Sequence, residues 1–247
     1  MIGFFDSGFG GLIVLKGVRK KLPDYSYIYL GDNDRAPYGS RCKEEIFWYT
    51  AEGVEELFRR GAKLVVLACN TSSAVALRRL QREWLPETYP DKKVLGIFCP
   101  TVEYLADLKV RNVGIFATEA TVSSEAYIRE IGKVSLETLV VQQACPLLVP
   151  LIESGKLDRL EITVKNYADG LLSKNKKIEA VILGCTHYAT IENIFRRHIP
   201  ESIKIISQED VVAKSLENYL ARHEEVESML KRGGDCEFLT TGNSAHI

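Results

Sequence analysis

The sequence has no C-x-x-C pair, no membrane-length apolar run and no block of Lys or Arg. Each absence removes a class of function. Its six cysteines, Cys42, Cys69, Cys99, Cys145, Cys185 and Cys236, are scattered along the chain. Without an export signal, that spacing argues against a disulfide framework. Apolar runs such as Leu64–Ala68 and Val181–Leu183 are far shorter than the roughly 20 residues of a membrane helix. A net charge of −1 gives no electrostatic footprint for nucleic acid or an acidic membrane as a partner. The chain opens on the strand-like IGFF rather than a leader, and no low-complexity linker interrupts it. The expectation is a soluble cytoplasmic protein.

Apolar residues make up 46% and charged residues 26% of the 247, enough for a full core in one large or two ordinary domains. Short β-rich runs are expected at Ile2–Phe5, Tyr25–Leu30, Leu64–Ala68, Val94–Phe98, Val113–Ala117, Thr138–Val141, Val181–Leu183 and Ile203–Ile206. Helical patterns lie between them; in Glu44–Arg60, Phe47, Val54, Leu57 and Phe58 share one face. This alternation predicts parallel sheets covered by helices on both faces.

A weak repeat runs through the pattern. IGFFDSGFG resembles VGIFATEAT at an offset of 111, and LVVLACNTSSA resembles AVILGCTHYAT at 116. VLGIFCPTVEYL and IKIISQEDVVAKSL, offset by 109, both read as a strand entering a helix. The reading is an α/β fold of two similar parallel-sheet domains related by a pseudo-two-fold axis, with the active site in the cleft between them. Residues 1–96 plus 207–247 form one domain, and 97–206 the other.

In open α/β sheets, ligands sit outside the carboxyl ends of the strands. Asp6-Ser7-Gly8, Cys69-Asn70-Thr71, Thr118 to Thr121 and Cys185-Thr186-His187 all fall there. Cys69 and Cys185 each end an apolar strand ahead of an expected helix, Thr71–Trp84 or Thr186–His198. A thiol at a helix N-terminus is expected to titrate low. A lone strand-end cysteine is usually an inert buried one; two at matching positions, each flanked by hydroxyl and amide groups, point to chemistry. Cys185-x-His187 with Cys69 could supply zinc ligands, but structural-zinc spacings are missing. A phosphatase loop would need an Arg six residues after the thiol, where Val75 and Ile191 stand. In FFDSGFGGL the G-x-G-x-x-G pattern breaks at Ile13, and Asp6 would repel a phosphate. APYGS places Tyr38 and the backbone N–H groups of Gly39 and Ser40 in a turn able to meet a carboxylate. Glu153 is either a buried partner for His187 or a helix-end charge.

Two opposed thiols suit inversion of a carbon centre: one removes a proton from one face while the other delivers a proton to the opposite face. Asp6 and His187 are then natural proton-relay partners, one for each sulfur. The segments FDSGFGGL, GDNDRAPYGSR, LACNTSSA, FATEATVSSEAY, ACPLLVPLIESG and LGCTHY, in that order along the chain, resemble the glutamate racemases of the cofactor-independent aspartate/glutamate racemase superfamily. CTH is similar to the glutamate members, whereas aspartate racemases usually carry Glu after the second Cys-Thr. The resemblance implies Cys69 and Cys185 as the two bases. It also implies substrate contacts from Asp6, Ser7, Tyr38, Gly39, Asn70, Thr71, Thr186 and His187, to which the rim position adds Thr118 and Thr121. It further implies glutamate as substrate, no cofactor, a bacterial cytoplasmic homodimer, and D-glutamate made for the cell wall. An aspartate racemase and a catalytically silent amino-acid-binding protein are the alternatives. Ala189 stands where the family usually has Pro, and Ser207-Gln208-Glu209 replaces its usual Asp-Ser/Pro-Gly turn.

Overall fold

The computed structural model describes residues 1–242; residues 243–247 of the expected first domain lie outside the described residues. One sheet takes β1 (Ile2–Asp6), β2 (Tyr27–Gly31), β3 (Leu64–Leu67) and β4 (Lys93–Gly96). The other takes β5 (Asn112–Ala117), β6 (Leu139–Ala144), β7 (Ala180–Gly184) and β8 (Lys204–Ile206). Every pairing between these strands is parallel. The orders are β4-β3-β1-β2 and, read in the same direction, β8-β7-β5-β6. Each strand of one sheet therefore has a counterpart in the other, in the correspondence that the sequence offsets predict.

The first sheet is extended beyond β2 by β9 (Cys236–Thr240), a parallel edge strand that sequence reading missed. Its residues are half-buried or exposed, so the apolar run that marked the other strands is absent. Element boundaries also shift: β2 starts two residues later than expected, and β6 runs three residues further, to Ala144. Phe98, expected to close a strand, opens a helix, and the Ile97 N–H turns back to Leu67 O and Ser73 Oγ. Residues Thr186–Ile191 form a tight 3-10 segment, with the α-helix starting at Glu192.

Alternate strand residues enter different cores, because helices cover both faces. Phe4 packs with Val14, Leu15 and Val18 of α1 (Gly11–Lys21), whereas Phe5 packs with Val54 and Leu57 of α2 (Lys43–Arg59). The chain passes between the sheets through α5 (Phe98–Asp107) and returns through α11 (Glu209–Arg222). On the way it forms α3 (Asn70–Arg79), α4 (Leu85–Thr88), α6 (Glu119–Ser124), α7 (Ala126–Val134), α8 (Leu148–Glu153), α9 (Leu157–Lys174) and α10 (Glu192–His198). Leu77 of α3, Val102 and Leu105 of α5 and Tyr127 of α7 join one continuous core that reaches both sheets. Val212, Leu216 and Leu220 of α11 close on α1. Truncation of the 3%-exposed Leu216 to Ala leaves a hole in that layer. We expect Leu216→Ala to lower unfolding free energy by about 2–5 kcal/mol in urea titrations.

Candidate active site

Cys69 lies two residues past β3 and Cys185 directly follows β7, strands that occupy equivalent places in the two sheets. Both thiols are buried, 5% and 8% exposed, and both line one small cavity between the sheets. Its volume is about 20 Å³, close to the space of a single water. Ser7, Tyr38, Gly39, Asn70, Thr71, Thr118, Glu153, Thr186 and His187 share its walls. Asp6 and Thr121, also expected at the site, do not line it. Sequence reading missed Ala36, Pro37 and Val149, which do; as small apolar residues they carry no chemical signal. A broader cavity of about 790 Å³ outside shares Ala36, Glu153 and His187, so these three sit at the mouth.

The two thiols have different surroundings. Cys69 caps the N-terminus of α3, accepting the Ser72 N–H at 3.4 Å, and lies 3.4 Å from Ser7 Oγ. The expected fall in its pKa does not occur. Burial, followed by the negative charge of Asp6, pushes the thiol up to about 11 against these hydrogen bonds. Asp6 is fully buried; its Oδ2 accepts the N–H groups of Gly8 and Gly11 at 3.2 and 3.1 Å, while Oδ1 has no partner among the described residues. Burial raises its pKa, against the opposing pull of His187 and the backbone donors. Gly11 allows this approach, since a Cβ there would lie 2.7 Å from Asp6 Cβ.

Cys185 caps a 3-10 segment rather than the expected α-helix, so the helix-dipole argument does not apply to it. Its companion is His187, whose Nδ1 lies 3.9 Å from Sγ and whose Nε2 lies 3.1 Å from Glu153 Oε1. Glu153 is the partner of His187, but it is exposed rather than buried and ends α8, so both alternatives hold in part. Burial opposes the imidazolium; hydrogen bonds to Cys185 and Glu153, then the charges of Cys185 and Asp6, outweigh it and push His187 up to about 10.

The remaining polar walls are held from behind. Thr71 Oγ1 and Thr118 Oγ1 are 2.9 Å apart, and Thr118 donates to Thr121 Oγ1 at 3.0 Å, which makes Thr121 a support. Tyr38 is buried within its turn and donates its hydroxyl to Asp32. Gly39 seats this turn against the second sheet's side, where a Cβ would fall 2.8 Å from Thr118 Cβ. Among the described residues, no group of three or more His, Cys, Asp or Glu side chains is placed to hold a metal ion.

Two matched α/β units with a thiol at the same strand end of each define a pseudo-symmetric two-thiol site. Residues 14–216 match the family described as Asp/Glu/hydantoin racemase, and the chain belongs to that family and is an isomerase. Its whole length is 42% identical to glutamate racemases from Ruegeria sp. and Paracoccus denitrificans, covering 93% of each. Among solved structures it resembles glutamate racemase from Bacillus anthracis, with a TM-score of 0.86 and 32% identity over 98% of this chain and 89% of that one. The Francisella tularensis glutamate racemase in complex with D-glutamate gives a TM-score of 0.84 and 30% identity over 99% of this chain and 89% of that one.

Because the folded-state pKa of His187 lies above its usual 6.5, the proton stabilises the fold. That stabilisation is complete below about 6.5 and disappears as pH rises through about 10. The melting-temperature difference between wild type and His187→Gln should therefore be largest in mildly acidic buffer and vanish in alkali; a difference that grows with pH contradicts the assignment.

Proposed function

We propose that this chain interconverts L- and D-glutamate by two-base proton transfer at the α-carbon, without a cofactor. The observation that carries the reading is the opening of two strand-end thiols, Cys69 and Cys185, onto one cavity from opposite sheets. In one direction the Cys69 thiolate takes the α-proton from one face of the carbon and the Cys185 thiol supplies a proton to the other. In the reverse direction the roles exchange. The glutamate ammonium would bring positive charge next to Cys69 and offset the desolvation that holds its thiol protonated. Asp6, with one unpartnered oxygen and a raised pKa, is the proton partner on that side. His187 holds a proton beside Cys185, anchored by Glu153. The N–H and hydroxyl groups of Ser7, Gly39, Asn70, Thr71, Thr118 and Thr186 would receive the two carboxylates, with Thr121 and Tyr38 supporting them.

Glutamate is much larger than a cavity of about 20 Å³, so the two walls must separate to admit it. In this reading the homodimeric enzyme works in the bacterial cytoplasm and supplies D-glutamate for peptidoglycan. No helix among the described residues is long and apolar enough to cross a membrane.

Racemisation of L-glutamate in heavy water, followed by circular dichroism and α-deuterium incorporation, tests the reading. Wild type should exchange the α-proton, while Cys69→Ala and Cys185→Ala should each lose about 10³-fold in kcat. A requirement for pyridoxal phosphate, or loss of activity to a chelator, would overturn the cofactor-free mechanism. A strong preference for aspartate would overturn the substrate, and binding without exchange would show an amino-acid-binding protein.

A further inference from the structure

Gln208 stands just after β8 and is only 5% exposed. Its carboxamide faces Asn70 of α3, and the two amides form a reciprocal pair. Asn70 Nδ2 donates to Gln208 Oε1 at 2.6 Å, and Gln208 Nε2 donates to Asn70 Oδ1 at 3.1 Å. Two further groups meet this pair. Gln208 Nε2 lies 2.9 Å from Thr101 Oγ1 of α5 and 3.2 Å from the hydroxyl of Tyr127, which itself donates to Asn70 Oδ1 at 2.8 Å. All four side chains are buried, and they come from α3, α5, α7 and the start of the return crossing.

The polarity of this cluster can be traced to one backbone carbonyl. Thr101 donates its hydroxyl hydrogen to Ile97 O at 3.0 Å, so it meets Gln208 as an acceptor. The amide end of Gln208 must therefore turn toward Thr101, which leaves Oε1 facing Asn70. Oε1 in turn requires the Nδ2 end of Asn70, which leaves Oδ1 to accept from Gln208 Nε2 and from the Tyr127 hydroxyl. Reversing Asn70 would set N–H against N–H and oxygen against oxygen across the buried Gln208 pair. Oδ1 of Asn70 is thus occupied twice and one Nδ2 hydrogen is used. The second Nδ2 hydrogen has no partner among the described residues, and Asn70 lines the thiol cavity beside Cys69.

We propose that Gln208 is a positioning residue: it fixes which end of the Asn70 amide serves the cavity, so that a carboxylate there meets an N–H and never the repelling carbonyl oxygen. The inference rests on the proposed amino-acid racemase reading, and it assigns a specificity role to a side chain outside the cavity. Gln208 acts through Asn70 alone, and removing either residue should have the same consequence.

The test is a double-mutant cycle on the full chain with glutamate as the probe. Gln208→Leu and Asn70→Ala should each raise KM about tenfold with kcat within about threefold of wild type, because the lost contact is made equally in ground and transition states. The double variant should be no worse than Asn70→Ala. Thr101→Val, which removes only the acceptor that orients Gln208, should raise KM about threefold, and it serves where Gln208→Leu does not fold. An unchanged KM in the folded single variant, or multiplicative losses in the cycle, overturns the proposal. Side-chain amide hydrogen exchange gives a readout free of turnover: one Asn70 Nδ2 hydrogen should be protected in wild type and exposed in Gln208→Leu. Retained protection in the variant also overturns the proposal. A wild type that shows the Gln208-dependent protection but never racemises glutamate overturns the racemase reading while the positioning role stands.

Discussion

Holding two thiols buried at one small cavity is the constraint to which the neighbouring polar groups answer. A thiolate in such a place lacks water, so the energy of forming it depends on fixed dipoles and on any charge brought in by a ligand. On the Cys69 side the fixed groups work against ionisation: burial and Asp6 together outweigh the helix N-terminus and the Ser7 and Ser72 contacts. On the Cys185 side an imidazolium stands within reach, secured by an exposed carboxylate at the mouth. Pseudo-symmetry in the backbone therefore does not extend to the electrostatics. Cys69 faces a buried carboxyl group, and Cys185 faces an imidazolium.

The same arrangement explains why the walls are so closely tied across the two sheets. Gly39 accommodates Thr118, Thr71 meets Thr118 and Asn70 meets Tyr127, each pair joining segments of different sheets, while Gln208 ties Asn70 to the return crossing. Behind them the core is continuous through α3, α5 and α7. These cross-sheet polar contacts are themselves buried, so the walls are held by hydrogen bonds and by the apolar core behind them together.

Much of this was legible in the chain itself. Apolar strand runs such as LVVL and AVIL revealed parallel strands buried on both faces, and the near-constant offset between CNT and CTH revealed the repeat. The thiols, Asp6, His187 and the hydroxyl-rich rim were readable because they follow those runs, where the polypeptide turns out of the sheet. Less legible were β9, an edge strand without an apolar run, and the 3-10 segment after Cys185, whose residues carry no helix-stop signal.

Sequence alone determined which residues stand at strand ends, because the periodicity of burial is a local property. It could not determine the charge state that those residues feel. Cys69 was expected to titrate low from its place at a helix start, yet desolvation and the proximity of Asp6 push it up to about 11. Tertiary structure also decided that Tyr38 turns inward to Asp32, that Glu153 reaches His187, and that Gln208 pairs with Asn70 across 138 residues of chain. Desolvation and hydrogen-bond direction depend on which atoms meet in space, and local spacing carries no record of that.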